Sequence, residues 1–433
     1  MERFDVAVVG AGVAGLAAAG QLQREGLRVA VFEARDRIGG RVFTHHDERV
    51  PVPIELGAEF VHGEAPETQR ILDAAGLLAC ESSGEHWRAG RGRVRPMGGS
   101  WEGVDRVLRK IDPEGPDRSF AEFLAARPGG RSLARDRTAA REFVQGFHAA
   151  DLDQIGILSI APEEGENPTE SATHSARVIQ GYDGVPRFLA RGLEGVLRLG
   201  TQVTGIAWEA GRAELTLRAA GGRTSRVEAG AVVVTLPLGV LQAAADEPGG
   251  CRFDPEPPGL RKTLSQLAMG CVTRLVVRFR EMPWQALDLD RLGYLHLRSG
   301  PFNVWWTVYP FRFPLAVAWS GGSPSTELTG KTREEVAASA FRNLAESLGI
   351  SRRRIESRVE DFWLHDWNSD PFSRGAYSYA RVGGSNAAKK LSNPVEGTLF
   401  FAGEATDAEG RTGTVEGAIA TGLRAARQIR ARK

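Results

Sequence analysis

Cysteine is scarce in this sequence: Cys80, Cys251 and Cys271 lie far apart, with no CxxC pair and no neighbouring histidine cluster. No metal site is implied, and the three read as reduced, buried thiols. An excess of charge of one sign is also missing. Fifty-five lysines and arginines against 54 aspartates and glutamates leave a net charge of +1, which argues against an electrostatic footprint for nucleic acid or a membrane surface. No apolar run approaches the roughly 18 residues that a membrane helix needs. Met1 leads straight into strand-like residues, without the basic and apolar segments of a signal peptide. These absences predict a soluble, cytoplasmic protein with neither a nucleic-acid nor a membrane partner. Internal repeats and low-complexity tracts are lacking too, and 433 residues suffice for two domains with large cores.

What is present is concentrated at the two ends. Asp5–Val9 is a short β-branched stretch running directly into Gly10, Gly12 and Gly15, followed by a helical pattern over Ala14–Glu25 and a second strand, Arg28–Phe32, that ends on Glu33. In this order Gly10 permits a tight turn, Gly12 lets backbone approach a pyrophosphate, and Gly15 lets helix pack on strand. A carboxylate at the second strand end, as Glu33 is, accepts hydrogen bonds from a ribose and disfavours a 2′-phosphate. The continuation through Ala34, Arg35, Gly39, Gly40 and Arg41 offers further amides and a guanidinium to the same diphosphate, which suits FAD better than NAD.

Between the ends, Pro51–Gly63 reads as a short strand entering a glycine-containing loop, His86–Pro96 as a surface connection, and most of Ser119–Leu158 as helix. Strands are expected at Leu197–Trp208, Ala213–Ala219, Ala231–Thr235, Arg274–Phe279, Phe302–Val308 and Leu315–Ser320, with an irregular piece between the fourth and fifth. A helix follows over Glu334–Leu348. Thr398–Ala402, Gly403, Glu404 and the helical Gly413–Arg430 repeat the order of strand, glycine turn and helix. Phosphate-binding layouts at both termini imply a cofactor domain assembled from discontinuous segments.

Read together, the runs Gly10–Val42, Leu56–Gly63, Gly181–Val185, Val233–Leu241, Trp363–Trp367, Arg374–Tyr379, Leu399–Glu404 and Gly413–Ala418 resemble the flavin-containing amine oxidases, a family that includes monoamine, polyamine and L-amino-acid oxidases. The resemblance implies an α/β fold: a doubly wound Rossmann-type FAD domain from 1–80, 193–283 and 390–433, interleaved with an α+β substrate domain from 81–192 and 284–389, a mixed sheet flanked by helices. It carries Gly10, Gly12, Gly15, Glu33, Ala34, Arg35, Gly40, Arg41, Gly57, Ala58, Glu59, Phe60, Val203, Gly403, Glu404, Gly413, Thr414 and Val415 over as the FAD site. The implied reaction is hydride transfer from the carbon next to nitrogen to the flavin, giving an imine that water hydrolyses. The substrate would be a small amine or amino acid and O2 the acceptor. Alternatives are a C–C desaturase and a flavin-stabilised binding protein without turnover.

The departures from the family bear most on the chemistry. Ala376 occupies the place where monoamine oxidases carry the cysteine that binds the flavin covalently, so FAD is expected to be non-covalent. Tyr377 keeps one wall of the aromatic cage, while Thr414 stands where the other wall would be; Trp305 or Trp306 then lines the pocket, unless both fill the core. Arg274 replaces a lysine. An arginine stays charged and cannot serve as a base; it can stabilise charge, orient a water or grip a substrate carboxylate, or else turn away into a structural ion pair. Arg274 and Tyr377 are the catalytic candidates. Glu59 and His62 are candidates for the entrance, His62 being equally readable as a satisfied loop histidine.

Overall fold

The four consecutive valines and alanines at the end of the first strand, Glu2–Val9, are all buried, as a central parallel strand requires. The computed structural model describes residues 1–98, 100–162, 169, 174–287 and 289–432. The chain leaves this strand through Gly10, whose φ of 103° is a conformation that favours glycine, and enters the helix Val13–Arg24. Val29–Phe32 then returns parallel to the first strand, Val9 pairing with Phe32. Leu197–Arg198, Thr224–Val234, Arg212–Ala219, Thr201–Glu209 and Arg252–Asp254 extend the sheet, and Leu399–Phe401 joins it beside Val232–Val234. The last helix, Val415–Arg430, packs on the first, with Gly422 against the Ala14 carbonyl and Ala425, Ala426 and Ile429 in one core with Leu16, Ala18 and Leu22. Both ends of the chain thus build one cradle.

A second, seven-stranded sheet runs in the order Val359–Leu364, Val272–Phe279, Leu315–Gly321, Val304–Thr307, Leu292–Leu297, Glu85–Gly90, Arg93–Pro96. The helix Arg333–Leu348 starts from a capping box of Thr332 and Glu335, and Val336, Ala340, Phe341 and Leu344 cover one face of this sheet together with Leu275, Val277, Leu295 and Ala318. The opposite face looks towards the cradle. Two sheets with helices packed on them give the α/β architecture expected from the sequence.

Several local expectations need correction. His86–Pro96 is a hairpin at the sheet edge and not a plain connection: Trp87, Ala89 and Val94 face the core while the alternating histidine and arginines face away. The irregular piece after Phe279 contains the strand Leu292–Leu297. The helix expected across Ser119–Leu158 breaks into Phe120–Ala125 and Ala134–Phe147, because Gly129 and Gly130 take φ of 72° and 60° after Pro128. The boundary drawn at residue 283 gave Val272–Phe279, and hence Arg274, to the cofactor unit; the strand pairs instead within the second sheet.

Gly15 tests the cradle packing. A Cβ there would lie 2.0 Å from the Gly10 carbonyl oxygen, whereas one at Gly195 would meet nothing within 4 Å. Gly15→Ala is therefore expected to destabilise the protein by about 2 kcal/mol, within the range for overpacked sites, and Gly195→Ala by far less, as urea denaturation would measure.

Candidate functional site

A single cavity of about 1310 Å³ runs from the glycine turn after the first strand to the free face of the second sheet. At its inner end lie Gly10, Gly12, Glu33, Ala34, Arg35, Gly40 and Arg41, and Val203 closes the side. Glu33 is buried and fixed, accepting from the amides of Ala11 at 2.7 Å and Arg35 at 2.9 Å. The guanidinium of Arg35 is paired with Asp370 at 2.8 Å. Gly15 does not reach the cavity; its smallness serves the helix–strand contact.

Gly12 shows that this end is shaped for a ligand. Its φ of −68° suits any residue and no protein atom lies within 4 Å of where a Cβ would stand, so the fold itself does not call for glycine. The cavity does, because a side chain would project into it beside Gly40. A dinucleotide fits the donors and acceptors here: helix N-terminal amides for a diphosphate and a fixed carboxylate for a ribose.

Farther along, Arg41 donates to Glu404 at 2.7 Å and to the Ala376 carbonyl at 2.8 Å. Glu404, buried, also accepts from the Ser378 hydroxyl at 2.7 Å and the Gly413 amide at 3.1 Å. Gly403 turns the chain at φ 120°, and Thr414 caps the last helix through the Gly417 amide, placing Gly413, Thr414 and Val415 on the wall. Gly57, Ala58, Glu59 and Phe60 face them across the cavity.

The junction of cradle and second sheet is held by Glu59. Its carboxylate pairs with Arg274, accepts from Arg177 Nε at 2.5 Å and accepts from Trp306 Nε1 at 3.0 Å. Burial pushes this carboxyl up, but the Arg274 and Arg177 guanidiniums outweigh it and hold Glu59 below the usual carboxylate range. Arg274, 4 % exposed, also donates to the Gly57 carbonyl at 3.3 Å and lies over the Trp306 ring at 5.5 Å. Arg274 thus lines the cavity and takes part in a buried ion pair at once. Glu59, expected from the sequence to shape the entrance, lines the cavity from a buried position as the partner of Arg274.

The aromatic wall consists of Tyr377, Trp306, Phe60 and His62, joined by Trp319, Phe147 and Tyr294. Tyr377 packs against Gly413 and donates its hydroxyl to the Phe147 carbonyl at 2.7 Å; burial pushes its phenol far up, so it stays neutral. His62 stacks edge-on to Phe147 at 5.5 Å. Trp305 is the exception among the aromatic candidates. It is fully buried in the core beneath Arg333–Leu348 and does not line the cavity, because neighbours along a strand point to opposite faces and Trp306 takes the cavity side.

Sequence reasoning missed Trp319, Tyr294, His86 and His296. His86 Nδ1 and His296 Nε2 are 3.1 Å apart, and His86 stacks on Tyr294 at 4.5 Å. Desolvation pushes them down to about 4 and about 3, so both are neutral at pH 7. The alternation of His86 and Arg88 with Trp87 and Ala89 was the available signal; His296 lay in the strand that was not recognised.

Gly12→Ala should separate ligand fit from fold. The apo protein is expected to keep its melting temperature while FAD affinity falls at least about tenfold, the loss of one or two close backbone contacts to a phosphate. Isothermal titration of the apoprotein with FAD measures it. An unchanged affinity would remove Gly12 from the site.

Comparison with known proteins agrees with this geometry. The family profile described as flavin containing amine oxidoreductase matches residues 13–430. Polyamine oxidase 3 of Oryza sativa subsp. japonica is 28% identical over 98% of this chain and 89% of its own length, and polyamine oxidase 2 of Arabidopsis thaliana 27% over 99% and 88%. Among solved structures, putrescine oxidase bound to putrescine superposes with a TM-score of 0.81 at 24% identity, covering 99% of both chains. Cyclohexylamine oxidase from Brevibacterium oxydans IH-35A reaches 0.79 at 20%, covering 98% of each, so both share the fold. The chain belongs to the flavin containing amine oxidoreductases, and is an FAD-dependent oxidoreductase of amine C–N bonds.

Proposed function

We propose that this protein oxidises the carbon next to nitrogen in an extended primary or secondary amine, with O2 as the electron acceptor. FAD, when bound, supplies the hydride acceptor. The observation that carries the reading is the composition of the chamber where the nucleotide arm meets the second sheet. Tyr377, Trp306, Trp319, Phe60 and Phe147 wall it, while its buried carboxylates are committed, Glu59 to Arg274 and Arg177 and Glu404 to Arg41 and Ser378. Such a chamber orients a flat or flexible apolar amine and excludes water; it has little to offer acid–base chemistry.

In this reading Tyr377, pinned by its bond to Phe147, is a rigid wall that positions the reacting carbon. Arg274 keeps its charge throughout and supplies fixed positive potential where negative charge arrives. It does so without a free fork for a substrate carboxylate, since Glu59 and the Gly57 carbonyl already engage it. The cluster of Arg274, Arg177 and Glu59 carries one positive charge, which favours an amine that enters unprotonated. Ala376 has no nucleophile with which to bind the flavin. Three free cysteines support a reducing, cytoplasmic setting. Among the described residues no helix is long and apolar enough to cross a membrane.

Anaerobic mixing of the holoenzyme with a panel of monoamines, diamines and amino acids is the test. Bleaching of the flavin absorbance by at least one amine and recovery on admitting air are expected, with yellow colour left in solution after acid precipitation. A flavin that no amine bleaches would overturn the reading, and one that stays bleached in air would remove O2 as acceptor.

A further inference from the structure

The free face of the second sheet is a graded floor. One row of cross-strand partners runs Arg274, Trp319, Val304, His296, Arg88, Arg95. The first five line the main cavity, and Arg95 lies in a groove that adjoins it and shares Arg88 and Met97 with it. At about 4.8 Å per strand, the row places Arg88 roughly 19 Å from Arg274. The floor passes from aromatic to neutral histidine to arginine along that length.

The arginine end gathers cations into one place. Many arginines of this molecule are paired with acids, as in Arg106–Asp136 and Arg212–Glu228. In the groove, Arg91, Arg93, Arg95 and Arg298 are exposed, and among the described residues none has an acidic partner within 4 Å. Arg88 is engaged by Glu142 at 2.8 Å. Arg88 stands directly opposite Arg95, an arrangement of like charges that costs stability in a sheet. Nothing in the packing explains it: Val94 fills the core from this hairpin, and the arginines point the other way.

We infer that this arm of the cavity binds the carboxylate end of an extended amine substrate, through Arg93, Arg95 and Arg298, while the amine end lies in the aromatic chamber. The inference rests on the amine-oxidising reading above and names its substrate class: a long-chain amine with a carboxylate at the far end. Guanidinium forks suit a carboxylate, and an arginine mouth disfavours a second ammonium. Preference should therefore run opposite to that of an enzyme built for diamines.

The test compares 12-aminododecanoate, dodecylamine and 1,12-diaminododecane as reductants of the holoenzyme at low and high salt. A kcat/KM advantage of the amino acid over the diamine of about tenfold or more is expected, carried by KM and shrinking at high salt as exposed charges are screened. The R93Q/R95Q/R298Q variant should lose the advantage and R93E/R95E reverse it. Dodecanoate, which needs no turnover, should perturb the flavin absorbance of the unmodified enzyme and bind about tenfold more weakly to the triple variant. Equal use of all three amines by the unmodified enzyme, or a preference and a dodecanoate affinity untouched by the substitutions, would overturn the inference. If no amine bleached the flavin, the amine reading would fail, and dodecanoate binding would still decide the arginine site.

Discussion

The carboxylate of Glu59 enters the structure from the loop before Phe60–His62 and meets two arginines that come from different sheets, Arg274 from the seven-stranded sheet and Arg177 from the strand Ser175–Val178. A buried guanidinium without such a partner is costly, and removing one member of a buried pair typically costs about 3–5 kcal/mol. Arg177 in turn donates to the carbonyls of Thr307 at 2.9 Å and Tyr309 at 3.1 Å, and Trp306 donates to Glu59 itself. One carboxylate therefore sets the position of the loop beside the nucleotide arm, the aromatic wall and the charge of Arg274. The cavity has its shape because these four side chains are tied to one another.

This arrangement explains how an arginine is accommodated at a position where the sequence resemblance led to the expectation of a lysine. Lysine can lose its proton when buried; arginine cannot, so its charge has to be met by the protein. Glu59 meets it, and the cost of burying charge becomes a fixed, oriented dipole beside the aromatic chamber. The second sheet then does two jobs with its two faces. One is packed beneath Arg333–Leu348, and the other is a floor along which residue chemistry changes strand by strand.

Legibility in the sequence followed the range of the constraint. The cradle was readable because strand, glycine turn, helix and terminal Glu33 are consecutive, and each demands a residue type for a local reason; the observed Glu2–Val9, Val13–Arg24 and Val29–Phe32 differ from the expected bounds by a few residues. The family motifs carried the distant elements Leu399–Phe401 and Val415–Arg430 to the same place. The second sheet was harder. Its edge hairpin alternates arginine and histidine with Trp87, Ala89 and Val94, and arginine-rich composition hid that period of two. The pairing of Glu59 with Arg274 spans 215 residues and has no local signature. The choice between Trp305 and Trp306 needed the register of a single strand, which pairing with Ala318 and Val317 decides.

A double-mutant cycle on Glu59 and Arg274 tests the central claim most directly. Glu59→Gln, Arg274→Met and the double variant would be unfolded in urea alongside the unmodified protein. If Glu59 compensates the charge of Arg274, each single change strands a buried group and the double change relieves part of the loss, giving a coupling energy of about 2–3 kcal/mol. A coupling within about 0.5 kcal/mol of zero, the range of independent sites, would mean that Arg274 does not depend on Glu59, and the account of the junction would be wrong.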